Sequence, residues 1–465
     1  MNAKTIITQS VTPKRGLFLI GGVITFLVIC TCLAGNAGTP TELTIYNQNF
    51  GVVKEMREID LDEGLNTVMI HDVSKLIDPT SVSIRDLTAY TQVLEQNYLY
   101  DLVSKQKIYE RYIGEEITVT GKEGTVTTGI LLSYSGDELI IQNAGGVHIL
   151  KTEQVSLPKL PEGLITKPTL KWLLETDEPG AHDIQLSYMT SGLNWVADYV
   201  AIVNEDDSQV DLTCWVTITN MSGASYKNAR LKLIAGDVHR VEEYREKRYA
   251  MEEAEEAPSQ FVEEAFFEYH LYTLQRKTDI LDNQQKQVTL FEADNVSVKK
   301  EYVFDTGYYF YSDYGGTFDI RVMLALENTE KNNMGIPLPK GKIRVYKKDS
   351  EGQLQFIGED LIDHTPKDEK IRIYLGDAFD LVGEKKQTDY DKIGLRVVEV
   401  SYEVSLRNHK DEEVTIAVIQ RIWGDWEIME TSHDWEKEDA YTAVWYIDVP
   451  KDGEVTLTYR IRIRW

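Results

Sequence analysis

The chain has 465 residues, about three domains' worth by the usual size relation, so each part can bury a core without metals or disulfides. It carries 76 acidic and 49 basic side chains, a net charge of -27, and a field of that sign repels phosphate backbones, so nucleic acid is not an expected partner. Of three cysteines, Cys30 and Cys32 lie in an apolar N-terminal run, and Cys214 alone in the body makes neither an internal disulfide nor a cysteine-based zinc site.

Residues 1–37 stand apart. Lys14-Arg15 is followed by GLFLIGGVITFLVICTCLAG, uncharged from Gly16 to Gly35, just long enough to span a bilayer and longer than a usual signal-peptide core. Gly35-Asn36-Ala37 offers small residues for cleavage before Gly38. Thr31 precedes Cys32 where a bacterial lipoprotein signal takes Gly, Ala or Ser, which argues against lipidation. The segment is expected to be a signal peptide or an N-terminal membrane anchor, with Lys4, Lys14 and Arg15 cytoplasmic and the rest of the chain outside. That rest holds 46 basic and 76 acidic side chains, a net of -30.

From Thr41 onward the dominant pattern has a period of two. Residues 38–110 are predicted to form an N-terminal β region followed by a short helix. The helix is placed within 87–114, where Leu94, Tyr98, Leu102 and Ile108 have near-helical spacing and no glycine or proline intervenes before Gly114. Residues 111–160 give about five short strands in about 45 residues, the size of a small SH3- or Sm-like barrel. Such barrels often bind RNA, but four basic against six acidic residues from Arg111 to Leu160 favour a structural role.

Residues 165–240 read as the first part of a β-sandwich. In DLTCWVTITN (211–220), Leu212, Cys214, Val216 and Ile218 share one face and the threonines the other, so Cys214 is expected in the core. In SYMTSGLNWVADYVAIV (187–203), Trp195, Tyr199 and Val203 are expected to face the core, with Gly192-Leu193-Asn194 as a turn. The acidic NEDDSQVD (204–211) lacks the spacing and central glycine of a calcium loop and reads as a hairpin turn. Residues 241–268, rich in Glu, read as a helical linker; 269–385 as a second β part; and 386–465 as an Ig-like β-sandwich. The predicted fold is thus mainly all-β, with antiparallel sandwiches, the barrel-like insert and one short helical stretch.

Two features exceed background. YVFDTGYYFYSDYGG (302–316) gathers Tyr302, Tyr308, Tyr309, Tyr311 and Tyr314, candidate contacts for an envelope glycan or protein, although a tyrosine-rich hairpin also fills a β core. On the last strand Arg460, Arg462 and Arg464 form a ladder opposite Val455, Leu457, Tyr459, Ile461 and Ile463, and cross-strand pairing with carboxylates is the expected role.

The blocks LSYMTSGLNWVADYVAIV, VTITNMSGASYKNARLKLIAGDVHRV, MGIPLPKGKIRVYKKDSEGQLQFIGEDLIDHTPKDEKIRIYLGDAFDL, VSLRNHKDEEVTIAV and TLTYRIRIRW occur in order. Together they resemble the domain of unknown function 4139 family, which includes the mucoidy-inhibitor-A-like proteins, from about Thr169 to Trp465. LTIYNQNFGVVKEMREIDLDEGLNTVMIHDVSKLIDPTSVSIR resembles the strand region upstream in that family. Where many members carry a long coiled coil, this chain has the short helix and the insert. The resemblance implies an all-β architecture and a cell-envelope setting, and brings no established catalytic residues.

Catalytic and nucleotide motifs such as HExxH, GxSxG, GxGxxG and the P-loop are absent, and the eight histidines show no i,i+2 or i,i+4 pair. Asp363-His364 and His433-Asp434 are adjacent acid–histidine pairs and read as loop pairs. No cofactor or metal is expected. Asn220-Met221-Ser222 and Asn295-Val296-Ser297 are glycosylation sequons, relevant only in a glycosylating host. The expected protein is an exported or membrane-anchored module of the cell membrane or cell surface, mostly extracytoplasmic. It is expected to be structural or interacting, and to touch the membrane through its N-terminal helix if that is uncleaved. The alternative is an extracellular hydrolase acting on envelope glycans or peptides, with a site composed between domains.

Overall fold

In the computed structural model the described residues are 41–121, 124–151, 154–161, 163–236, 261–266, 268–308 and 315–465. The N-terminal apolar run and most of the 241–268 linker lie outside them. Among the described residues no helix is long and apolar enough to cross a membrane. Strand alternation translates directly into burial. In the strand Gln209–Asn220, Leu212, Cys214, Val216 and Ile218 are buried. In Leu193–Val203, Trp195, Tyr199 and Val203 are buried, and Trp195 donates its indole N–H to the Ile234 carbonyl (3.2 Å). The stretch is scaffolding. Only Gly192 turns, at φ +81°, while Leu193 and Asn194 already belong to the strand.

Among the described residues the chain is all-β with one α-helix, arranged in four sheets. An eight-stranded sheet built around Thr41–Tyr46, Phe50–Leu61 and Gly180–Ser191 and a three-stranded sheet centred on Thr169–Thr176 contribute to a first core. A thirteen-stranded sheet runs from Leu354–Ile362 through Leu193–Val203 and the C-terminal strand Gly453–Arg464 to Asp425–Thr431. Its two 25-residue strands, Gln284–Tyr308 and Lys370–Gly394, pass from the first core into a second, because Val288 and Ile373 pack in the first while Phe304 and Leu381 pack in the second. Pairing is mostly antiparallel, but three pairs are parallel: Thr41–Tyr46 with Tyr226–Ala235, Leu193–Val203 with Gly341–Lys348, and Gln284–Tyr308 with Val414–Arg421. Each joins strands distant in sequence, which frees the pairing from hairpin geometry.

The insert differs from the expected barrel. Its five strands form an open sheet whose end strands, Gln154–Ser156 and Gly146–Lys151, do not pair with one another. The helix Lys105–Tyr112 covers the open side: Tyr109 and Tyr112 join Ile117, Val119, Leu131, Leu139 and Ile141 in a small separate core. Ser104 caps this helix by accepting from the Lys107 amide (3.2 Å). Leu94 and Tyr98, read as part of the helix, lie instead on the strand Thr91–Leu99, which pairs with Thr169–Thr176. The offer of a partner strand outweighs a near-helical spacing. Within the expected helical linker, residues 261–266 form the strand Phe261–Phe266.

Candidate functional site

The thirteen-stranded sheet curls until its edge strand Leu354–Ile362 meets Lys370–Gly394 without ladder bonds. The backbone of Leu375 packs so close that a Cβ at Gly358 would lie 2.5 Å from its carbonyl oxygen, and the Tyr374 amide donates to Asp360 (2.8 Å). Inside the curl is a recess of about 240 Å³ floored by Val203, Val322, Leu324, Ile357 and Leu375 and rimmed by Asp207, Lys300, Lys347 and Asp377.

Asp207 anchors the rim. It sits in the predicted hairpin turn at φ 59°, where Asn204 accepts the amides of Ser208 (2.9 Å) and Gln209 (3.1 Å). Lys300 and Lys347 both pair with its carboxylate. Burial opposes charge here, yet the two ammonium groups hold Asp207 below the ordinary carboxylate range. Burial likewise works against Lys300, and Asp207 nonetheless raises it above the ordinary lysine value. On the far rim Asp377 accepts the Tyr374 hydroxyl (2.9 Å), a bond that raises the phenol's pKa.

Of the tyrosine cluster, Tyr302 is 9 % exposed and packs in the second core, with the ammonium groups of Lys300 and Lys410 at 6.0 and 5.5 Å from its ring centre. Lys300 thus links this tyrosine to the recess. Tyr308 ends the strand Gln284–Tyr308, its backbone opposite Arg421, while Tyr309, Tyr311 and Tyr314 lie outside the described residues. Sequence reading missed the Asp207–Lys300–Lys347 group because its members are 93 and 140 residues apart. The one local hint was an acidic turn between two apolar strands.

Other charged groups have structural partners. Arg460 binds Glu399 (2.8 Å), Asp389 (2.8 Å) and Asp391 (2.7 Å), Arg462 binds Glu399 through two nitrogens, and Arg464 binds Asp425 (3.2 Å), as the ladder predicted. In the second core, buried Lys385 donates to Gln420 (2.9 Å), which also accepts the Tyr459 hydroxyl (2.9 Å), and its ammonium lies 4.2 Å from the Tyr402 ring centre.

Sequence reading also missed a histidine–carboxylate–hydroxyl group. His182 Nδ1 lies 2.6 Å from Asp86, which also accepts the Thr91 hydroxyl (2.6 Å), and both charged side chains are at most 3 % exposed. A catalytic triad needs the hydroxyl on the far imidazole nitrogen. Here His182 Nε2 donates to the Glu178 carbonyl (2.8 Å), and the hydroxyl sits on the carboxylate. Asp363-His364 and His433-Asp434 are not triads either. His364 Nδ1 accepts the Lys340 amide (3.2 Å), and His433 contacts the neighbouring Ser432 (2.8 Å). Among the described residues no group of three His, Cys, Asp or Glu side chains could hold a metal ion.

Curled and layered β-sheets, two joined cores and a charged-rimmed recess define a β-rich protein of sandwich type. Residues 184–465 match the family model described as Domain of unknown function (DUF4139), and the chain belongs to that family. No curated protein matches it.

Proposed function

We propose that this chain is an exported or membrane-tethered module of the cell surface that binds an envelope glycan or protein, and that binding is its task. The observation that carries this reading is the use of its histidine–carboxylate–hydroxyl group: the Asp86 and His182 side chains are buried, Thr91 bonds the carboxylate from a strand of another sheet, and both imidazole nitrogens are engaged. The same side chains in a cleft would have favoured hydrolysis. The location rests on the uncharged run after Lys14-Arg15 and on the acidity of everything beyond it. The membrane is a partner through residues 16–35 if they are retained.

Two measurements test this. Protease added to intact cells or spheroplasts digests the chain beyond Gly38 while a cytosolic marker survives; equal protection of both ends the extracytoplasmic reading. Replacing Tyr308 and Tyr311 with alanine weakens capture of purified envelope glycan or protein while the thermal midpoint stays near native. Tyr302→Ala, by contrast, opens the second core and costs about 3 to 5 kcal/mol. A double variant that unfolds the same way would return the whole cluster to the core.

A further inference from the structure

We propose that the recess beside Asp207 binds a small anion with an alkyl tail, its head on Lys300 and Lys347 and its tail over Val322, Leu324 and Leu375. The proposal deepens the reading of this chain as a binding module and does not depend on where the chain resides.

Charge selects the head group. Two ammonium groups share the single carboxylate of Asp207, which leaves a surplus of one positive charge at this end of the recess. Each ammonium offers three N–H donors. Lys347 places one on Asp207 and one on the Glu205 carbonyl (2.9 Å), and Lys300 places one on Asp207. A carboxylate or phosphate oxygen arriving between them meets donors already held in place, so little side-chain entropy is lost on binding. A cationic ligand would meet the same two ammonium groups and be repelled. Asp377 on the rim keeps its own charge, since the bond it accepts comes from the neutral Tyr374 hydroxyl, so the surplus is confined to the Lys300–Lys347 end of the recess.

The floor selects the tail. Leu324 is buried, Val322, Ile357 and Leu375 are partly exposed, and together they present a continuous aliphatic surface at the base of the recess. At about 240 Å³ the space suits a short chain and excludes a large amphiphile. In a protein with a net charge of -27, the Lys300–Lys347 end of the recess offers an anion local positive charge against the general field.

The test uses the full chain with Val and Leu methyl groups isotopically labelled, titrated with hexanoate, hexanol and hexylamine. Hexanoate is expected to saturate and to shift the methyl signals of Val203, Val322, Leu324 and Leu375, with hexanol weaker and hexylamine weakest. Lys347→Met is expected to weaken hexanoate by about tenfold or more through loss of a charge-assisted bond. Asp207→Asn frees both ammonium groups and is expected to tighten it. Val322→Phe fills the floor without touching the lysines and is expected to block hexanoate, so the proposal stays testable if a lysine variant fails to fold. Equal binding of hexanol, preference for hexylamine, or no saturable shift overturns it. If hexanoate fails while a glycan or protein partner is still captured, the anion site falls and the binding module stands.

Discussion

His182 and Asp86 carry a pH dependence whose sign follows from their surroundings. Burial opposes charge on both. Even so, Asp86 is held below the ordinary carboxylate range by Thr91, the Thr88 and Ala89 amides and His182, while Asp86 and the Glu178 carbonyl raise His182 above the ordinary histidine value. The raised imidazole stabilises the fold fully below its unfolded pKa, and that contribution is lost as pH rises through its folded value. The lowered carboxylate contributes above its own unfolded pKa and is lost as pH falls through its folded value. The pair is therefore strongest between about pH 4 and 6.5. The stability difference between wild type and His182→Gln, read from denaturant melts, is expected to be largest near pH 5 to 6 and smaller at pH 9; a gap that widens with pH would reverse the assignment. Residue burial also separates the two sequons. Asn220 is buried and hydrogen-bonded to the Ala224 (2.8 Å) and Ile280 (3.3 Å) carbonyls, whereas Asn295 is exposed at φ 56°. Cys214 is likewise sealed, and burial raises its thiol pKa far from the reactive range.

The insert is an element attached at one point. Leu102 and Ile165 bridge in parallel, with the Val103 amide on the Ile165 carbonyl (2.9 Å) and the Ile165 amide on the Asp101 carbonyl (3.0 Å), so the chain leaves and returns at adjacent positions. Its core of Tyr109, Tyr112 and five aliphatic residues is separate from the other two. Lys107 and Arg111 reach back to Asp101 only through surface ion pairs, which contribute little. Replacing Ser104 to Gly163 with a short Gly/Ser linker is therefore expected to leave the rest folded, with the thermal midpoint moved by no more than about 4 °C. A collapse on calorimetry would mean that the insert props up the sheet of Thr91–Leu99.

At the scale of the molecule, the two 25-residue strands decide the architecture. Each packs against the first core at one end and the second core at the other, so neither core can lose its sheet without exposing the other's edge. The excess of acid is organised on this frame. Arg460 gathers three carboxylates from neighbouring strands, and their hydrogen bonds raise its already high pKa while Arg460 and Arg462 lower that of Glu399. Two cations on one carboxylate recur at Asp101 and Asp305, and what sets the Lys300–Lys347 pair apart is the recess it borders.

What the sequence determined by itself was whatever depends on neighbours along the chain. Alternation assigned the faces of Gln209–Asn220 and Leu193–Val203, placed Cys214 and Trp195 inside, and set the arginine ladder on one side of the last strand. The family was legible in ordered blocks from Thr169 to Trp465, and residues 184–465 bear it out. Tertiary structure alone decided what depends on distant partners: that Leu94 and Tyr98 extend beside Thr169–Thr176, that a helix closes the insert, and that three strand pairs run parallel. It alone brought His182 to Asp86, 96 residues away, and Lys300 and Lys347 to Asp207. Periodicity reports which face of a strand is buried, but nothing in a period of two says which strand lies alongside, and the His182–Asp86 and Asp207–Lys300–Lys347 groups join segments far apart in the chain.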